Sequence, residues 1–266
     1  RLSGINPHYL EKITPMSNQL TMWAGLPQKH KVRISYSGAN IFIEIPKPPK
    51  YWKQITLDYL QDRHLLKRNN ITLGLGTQDQ PVRINFDEPD IAHLLIAGQT
   101  RSGKTNTQQL IAHSLCKSDA KLIIIDIAKK NFKWGAFKNV ANLLHPLCIE
   151  VPEAEKILSW GSDEISRRAS NSNKMQPIYI LIDELKSLVD FSEVSSKYLS
   201  HIAAVGGEFG LHLILSTQYP QINMLGSAEL KRNVTTRLCG RVDDGVAAAN
   251  VLGVKSSGAE TLQGYG

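Results

Sequence analysis

Gly98-Gln99-Thr100-Arg101-Ser102-Gly103-Lys104-Thr105 matches the pattern G-x-x-x-x-G-K-[ST] in full. The apolar run Leu94 to Ala97 precedes it, and a helical pattern from Asn106 to Cys116 follows it. Strand, glycine-bearing turn and helix form the context in which this pattern holds phosphate. The glycines let the backbone curl so that several N–H groups converge on one anion. The helix that opens there adds the positive end of its dipole. Lys104 reaches the β- and γ-phosphates as a point charge, and the Thr105 hydroxyl ligates Mg²⁺. All eight residues are candidates for nucleotide binding, with Thr105 also a metal ligand. The competing reading is a glycine-bearing turn with an incidental lysine, which the flanking strand and helix oppose.

Outward from this loop, strands alternate with helices. Leu122 to Ile125, Ile178 to Ile182 and Leu213 to Leu215 are further short apolar runs, and Ser195 to Val205 is a helical pattern. Short, continuous, Ile-rich runs followed by polar residues suggest buried parallel strands. The alternation implies an α/β, doubly wound sheet, whose ligands bind beyond the carboxyl ends of the strands. Asp126, Asp183 with Glu184, and Thr217 with Gln218 stand at those ends. The polar stretch Ser166 to Gln176 reads as a surface loop.

The chemistry follows from these positions. Asp183 is the candidate metal residue, and Glu184 the candidate base that orients and deprotonates an attacking water. Neighbours on a strand point to opposite faces, so the two acids are free to take different jobs. The alternative is a strand end facing solvent. Asp126 competes with Asp183 for the metal, and is read instead as capping the loop after it. Lys129 then faces a phosphate or a neighbouring subunit. The Gln218 amide is placed to sense a γ-phosphate, although strands often end in Ser, Thr or Gln. Val234 to Val242 permits a strand with Arg237 and Arg241 on one face. Arg237 is either an arginine presented across a subunit interface or part of a solvated basic edge. His93 and His113 lack metal-ligand spacing and read as structural.

The first 50 or so residues differ from the rest. Val32, Ile34 and Tyr36, a turn at Ser37 to Asn40, then Ile41, Ile43 and Ile45 make a hairpin signature, and Pro46, Pro48 and Pro49 end it. The expected division is a small α+β appendage over residues 1–50 and a main domain over 51–266. Thirty-one Lys and Arg against 24 Asp and Glu give a net charge of +7. That balance favours a polyanionic partner without requiring one. Basic segments at Lys29 to Arg33, Lys47 to Lys53 and Lys129 to Lys138 lie near Tyr51, Trp52, Phe132 and Trp134, and read as surface charge with core aromatics. Three widely spaced cysteines fit neither a zinc site nor a disulfide framework, which places the chain in a reducing, cytoplasmic compartment. No run approaches the roughly 20 apolar residues of a membrane span, so no membrane contact is expected within this stretch. The chain starts at Arg1 and ends at Gly266, and reads as a fragment with room for an anchor outside it.

A family resemblance rests on several of these stretches at once. They are His93-Leu94-Leu95-Ile96-Ala97-Gly98 with the phosphate loop, Asp126 with Lys129, and Leu181-Ile182-Asp183-Glu184. Gly210 to Pro220, with Ser216-Thr217-Gln218, and Asn233-Val234-Thr235-Thr236-Arg237 complete the set. In this order they resemble the motor domain of the FtsK/SpoIIIE DNA translocases, within the FtsK–HerA ATPases, over roughly residues 30–266. The resemblance implies a RecA-like P-loop NTPase core, with a mainly parallel β-sheet and helices on both faces. It also implies a homo-hexameric ring that hydrolyses ATP with Mg²⁺ and pumps double-stranded DNA. Carried over, Lys104 and Thr105 bind phosphate and metal, Asp183 and Glu184 serve metal and water, Gln218 senses, and Arg237 acts in trans. Arg101 stands where the family's loop usually carries a small residue, and Tyr219 where it usually carries Arg. Gly206 to Phe209 gives an unusual turn, and no family-type winged-helix domain follows. These departures point to a divergent member from a plasmid, phage or conjugative element.

Three other readings compete. A helicase or conjugative coupling ATPase would act on single-stranded DNA. A nucleotide-dependent assembly scaffold would tolerate a damaged catalytic set, yet Lys104, Asp183 and Glu184 are all present. A small-molecule kinase would carry an arginine-rich lid after the acidic strand, and none is visible.

Overall fold

The structure, a computed structural model, describes residues 2–3, 12, 14–26, 32–37, 40–47, 55–63, 70–76, 79–88, 90–130, 132–171, 175–218, 227–254 and 257–262. Tyr51, Trp52, Tyr219 and the lysines at 29, 31, 50 and 53 lie outside them. The chain divides into two compact units, Arg1–Gln54 and Ile55–Gly266.

In the first unit, β1 (Leu2–Ser3), β2 (Arg33–Ser37) and β3 (Asn40–Glu44) form an antiparallel sheet in the order β1-β3-β2. The hairpin expected from the alternating isoleucines is β2–β3, with Ile34 opposite Ile43. Helix α1 (Ser17–Trp23) is tied to this sheet by the buried Thr21, whose hydroxyl accepts from Val32 N at 2.9 Å and donates to Ser17 O at 2.7 Å.

The second unit contains α2 (Leu57–Asp62), an antiparallel hairpin of β4 (Asn70–Leu75) and β5 (Pro81–Asn85), and then the main sheet. Its strands are β6 (Leu94–Ala97), β7 (Lys121–Ile125), β8 (Ile178–Ile182), β9 (Leu211–Thr217) and β10 (Thr236–Cys239). All pair in parallel, in the order β10-β6-β9-β8-β7. The helices between them are α3 (Lys104–Leu115), α4 (Val151–Ala169), α5 (Lys186–Val189), α6 (Glu193–Val205) and α7 (Ala228–Asn233), and α8 (Gly245–Leu252) follows β10.

The strands are continuously apolar because both faces are covered, which a parallel sheet requires. One face packs Leu95, Ile123, Ile125, Ile180, Ile182, Leu213 and Leu215 against Ile157, Leu158 and Ile165 of α4 and Leu199 and Ile202 of α6. The other packs Leu94, Ile96, Leu122, Ile124, Leu181 and Ile214 against Ile111 and Leu115 of α3, with Ile71 and Ile84 of the hairpin and Trp134 outside them. Each fully buried Leu or Ile contributes about 1.5–3 kcal/mol relative to exposure. The expected α/β core with a mainly parallel sheet and helices on both faces is therefore present.

Three local readings are corrected. Residues 166–169 are the last turn of α4, not loop, because Ile165 and Arg168 continue its buried face. Arg241 lies beyond β10 and does not share a strand face with Arg237; its carbonyl instead accepts from Gln99 N at 2.7 Å. Trp134 is in the core, but Phe132, on the preceding turn, is 88% exposed.

Candidate functional site

The phosphate loop leaves β6 through Gly98 at φ +156° and enters α3 through Gly103 at φ +90°. Between them Arg101 also adopts φ +66°, a region that costs a side-chain-bearing residue about 1–2 kcal/mol. The cost comes from the Cβ atom, so only glycine would escape it there. A methyl group on Gly98 would sit 2.6 Å from Ser102 Oγ and 3.2 Å from Arg241 O, so no side chain fits. The loop is anchored by Gly98 N donating to Thr217 O at 3.2 Å and by Gln99 N on Arg241 O.

Lys104 opens α3, and its ammonium donates to Gly98 O at 2.7 Å and Gln99 O at 2.8 Å. Burial pulls its pKa below the usual lysine range, opposed by Glu184 and then Asp183, with Lys129 adding to the fall. One turn on, the buried Gln108 amide donates to Ile182 O at 3.0 Å and Ile214 O at 3.2 Å. It fixes the start of α3 over the ends of β8 and β9.

Asp183 and Glu184 lie just past the end of β8. Asp183 is buried and fully engaged. Its Oδ1 accepts from Ser216 Oγ at 3.1 Å, and its Oδ2 from Thr105 Oγ1 at 3.1 Å and Lys129 Nζ at 2.9 Å. Glu184 is at φ +71°, so the strand alternation expected to separate the two acids does not apply. The left-handed turn instead brings both carboxylates to the same end of the sheet. Glu184 Oε1 accepts from Gln218 N at 3.2 Å, while Oε2 is buried without a partner among the described residues. A buried carboxylate oxygen left unpaired is costly in a finished core and is expected where a ligand completes the site.

Gln218 meets the loop directly, since Thr100 Oγ1 donates to its Oε1 at 2.5 Å. Sheet order explains this contact. β9 lies between β6 and β8, so its end is flanked by the phosphate loop and the acidic pair. Asp126 takes the capping role, its Oδ1 accepting from Lys129 N at 3.0 Å. Ser216 ties Asp183 Oδ1 to Glu184 N, a role that its place in the Ser216-Thr217-Gln218 strand end does not by itself reveal. Arg237 does not join this cluster. Its guanidinium donates to Val234 O, Val251 O and Lys231 O at 3.0, 3.0 and 2.7 Å. His93 is structural, its Nδ1 accepting from Leu213 N, and burial lowers its pKa to about 4.

The donor set suits Mg²⁺: a hydroxyl and a carboxylate converge, and both are hard oxygens. No group of three or more His, Cys, Asp or Glu gathers as a metal cage among the described residues. Mg²⁺ needs none when one or two side chains share it with phosphates.

Fold and site together define a RecA-like P-loop NTPase, a nucleotide-binding class. Comparison with known proteins narrows this. The FtsK/SpoIIIE family model matches residues 61–177, a span that holds the phosphate loop and Asp126 and ends before Asp183. The chain is similar to the curated DNA translocase FtsK of Borreliella burgdorferi, at 28% identity over 97% of this chain and 35% of that protein. A second relative, DNA translocase FtsK of Caldanaerobacter subterraneus, is 27% identical over 85% of this chain and 34% of its own length. The chain thus spans about a third of the curated relatives it matches. Among solved structures, the pCW3 conjugation coupling protein TcpA with ATPγS superposes with a TM-score of 0.67 at 24% identity, covering 95% of this chain and 75% of that one. The cytoplasmic domain of the Thermomonospora curvata type VII secretion ATPase EccC gives 0.61 at 16%, covering 92% and 29%. Both likenesses concern the fold. No helix among the described residues is long and apolar enough to cross a membrane.

Proposed function

We propose that this chain is the motor part of an ATP-driven translocase of double-stranded DNA, residues 51–266 forming the motor domain and residues 1–50 a small appendage. The observation that carries the reading is the convergence of Lys104, Thr105, Asp183, Glu184 and Gln218 at the ends of three adjacent strands. The similarity to FtsK relatives supports DNA as the partner, and the net charge of +7 suits a polyanion.

The backbone N–H groups of Arg101, Gly103, Lys104 and Thr105 cradle the phosphates of ATP, while those of Gly98 and Gln99 anchor the loop. Lys104, now held by two loop carbonyls, turns to the β- and γ-phosphates. Thr105 and Asp183 hold Mg²⁺, which screens the phosphate charge when bound. Glu184 accepts a proton from the attacking water through its free Oε2. Gln218 bridges Thr100 and Glu184, so loading of the loop is felt at the base. Arg237 serves the site of a neighbouring subunit in a homo-hexamer. It bonds no residue of its own chain's site, and would exchange three backbone carbonyls for phosphate.

Glu184→Gln tests the assignment. It keeps affinity for a fluorescent ATP analogue and lowers turnover by about 10²–10⁴-fold. Turnover at the parent rate removes Glu184 from the chemistry.

A further inference from the structure

The oxygen of Asp183 proposed to face the metal is already held by a cation. Lys129 Nζ lies 2.9 Å from Asp183 Oδ2, the oxygen to which Thr105 Oγ1 also donates. The Asp183 side chain is fully buried, whereas that of Lys129 is 32% exposed. The carboxylate therefore cannot move to water, and the ammonium can. The turn that delivers Lys129 is built for the purpose. Asp126, buried just past the end of β7, caps Lys129 N, and Lys130 follows in the left-handed region at φ +47°. An unpaired buried carboxylate is strongly destabilising, so a counter-cation is needed whenever no metal is held. An ammonium and a divalent cation, however, compete for the same lone pairs.

We propose that Lys129 is a resident counter-ion of Asp183, occupying the metal-facing oxygen until a divalent cation displaces it toward solvent. This rests on the reading of Thr105 and Asp183 as the metal residues. Lys129 is then a positioning residue: it balances the Asp183 charge and lowers affinity for metal. Its release couples loading to the turn at residues 127–130, next to the exposed Phe132.

The test is Mn²⁺ binding followed by electron paramagnetic resonance with saturating ATPγS. Lys129→Met, which removes the competitor, tightens Mn²⁺ by about tenfold or more, and Lys129→Arg stays near the parent value. Unchanged or weaker Mn²⁺ binding in Lys129→Met overturns the proposal. Asp183→Asn separates the two claims: if it leaves Mn²⁺ binding intact, the metal reading itself fails. Should Lys129→Met not fold, acetylation of the parent protein read by mass spectrometry decides. Lys129 reacts slowly relative to Lys130 with ATPγS and EDTA, and faster once Mg²⁺ is added. Labelling that ignores Mg²⁺ overturns the proposal.

Discussion

Gly98 shows how one residue decides the site. Its φ is +156°, and a Cβ there would lie 2.6 Å from Ser102 Oγ and 3.2 Å from Arg241 O, so its missing side chain allows this close approach. Gly103, at φ +90°, has open space around it and is needed only for its backbone angle. The two should therefore fail to different degrees. Gly103→Ala costs about 1–2 kcal/mol of loop strain. Gly98→Ala adds a clash with the Arg241 backbone carbonyl, and so loses more affinity for an ATP analogue, measured by fluorescence titration. Equal losses would mean the Gly98 contacts do not matter. The glycines, Lys104 and Thr105 were legible as a motif because that chemistry is local. The Lys129–Asp183 pair is not, because it joins residues 54 positions apart in sequence, beyond the ends of two strands whose adjacency no local pattern encodes.

At the scale of elements, α4 carries its own anchor. Glu164 is paired with Arg167 at 2.6 Å and Arg168 at 2.8 Å. Arg168 further donates to Phe209 O and Gln176 O, fastening the helix end to the turns that lead into β8 and β9. Arg167, then Arg168, hold the Glu164 carboxyl at about 2, below the ordinary 4.5. A depressed carboxylate stabilises above its unfolded value. That stabilisation is complete above about pH 4.5 and is lost as pH falls toward 2. Arg168→Leu should lower stability by about 1–3 kcal/mol through its lost bonds to Phe209 O and Gln176 O, and should flatten the acid limb of a urea-midpoint profile only in part, because Arg167 still pairs Glu164. A parent-like acid limb in the variant would dissociate the helix anchor from the Glu164 shift. The basic end of α4 looked like loop in the sequence because Ser166, Arg167 and Ser170 hide one buried arginine among polar neighbours. The hairpin β4–β5 also went unread, since Gly74 and Pro81 interrupt its alternation. By contrast, β6, β8 and β9 were plain, because strands covered on both faces leave an unbroken apolar run.

At the scale of the whole molecule, strand order turns separate sequence motifs into one site. Inserting β9 between β6 and β8 places Gln218 between the loop and the base, an arrangement that alternation of strands and helices predicts only in outline. The role proposed for Arg237 requires a second copy of the chain, since its guanidinium is held by the carbonyls of Lys231, Val234 and Val251. The central claim is that ATP turnover at this site is driven by duplex DNA. The most direct measurement is the steady-state ATPase rate without DNA, with long linear duplex, and with single strands at equal nucleotide concentration. Strong stimulation by duplex and little by single strands is expected. Stimulation by single strands alone would contradict the duplex substrate and favour a helicase or coupling ATPase, and no response to either would contradict the motor itself.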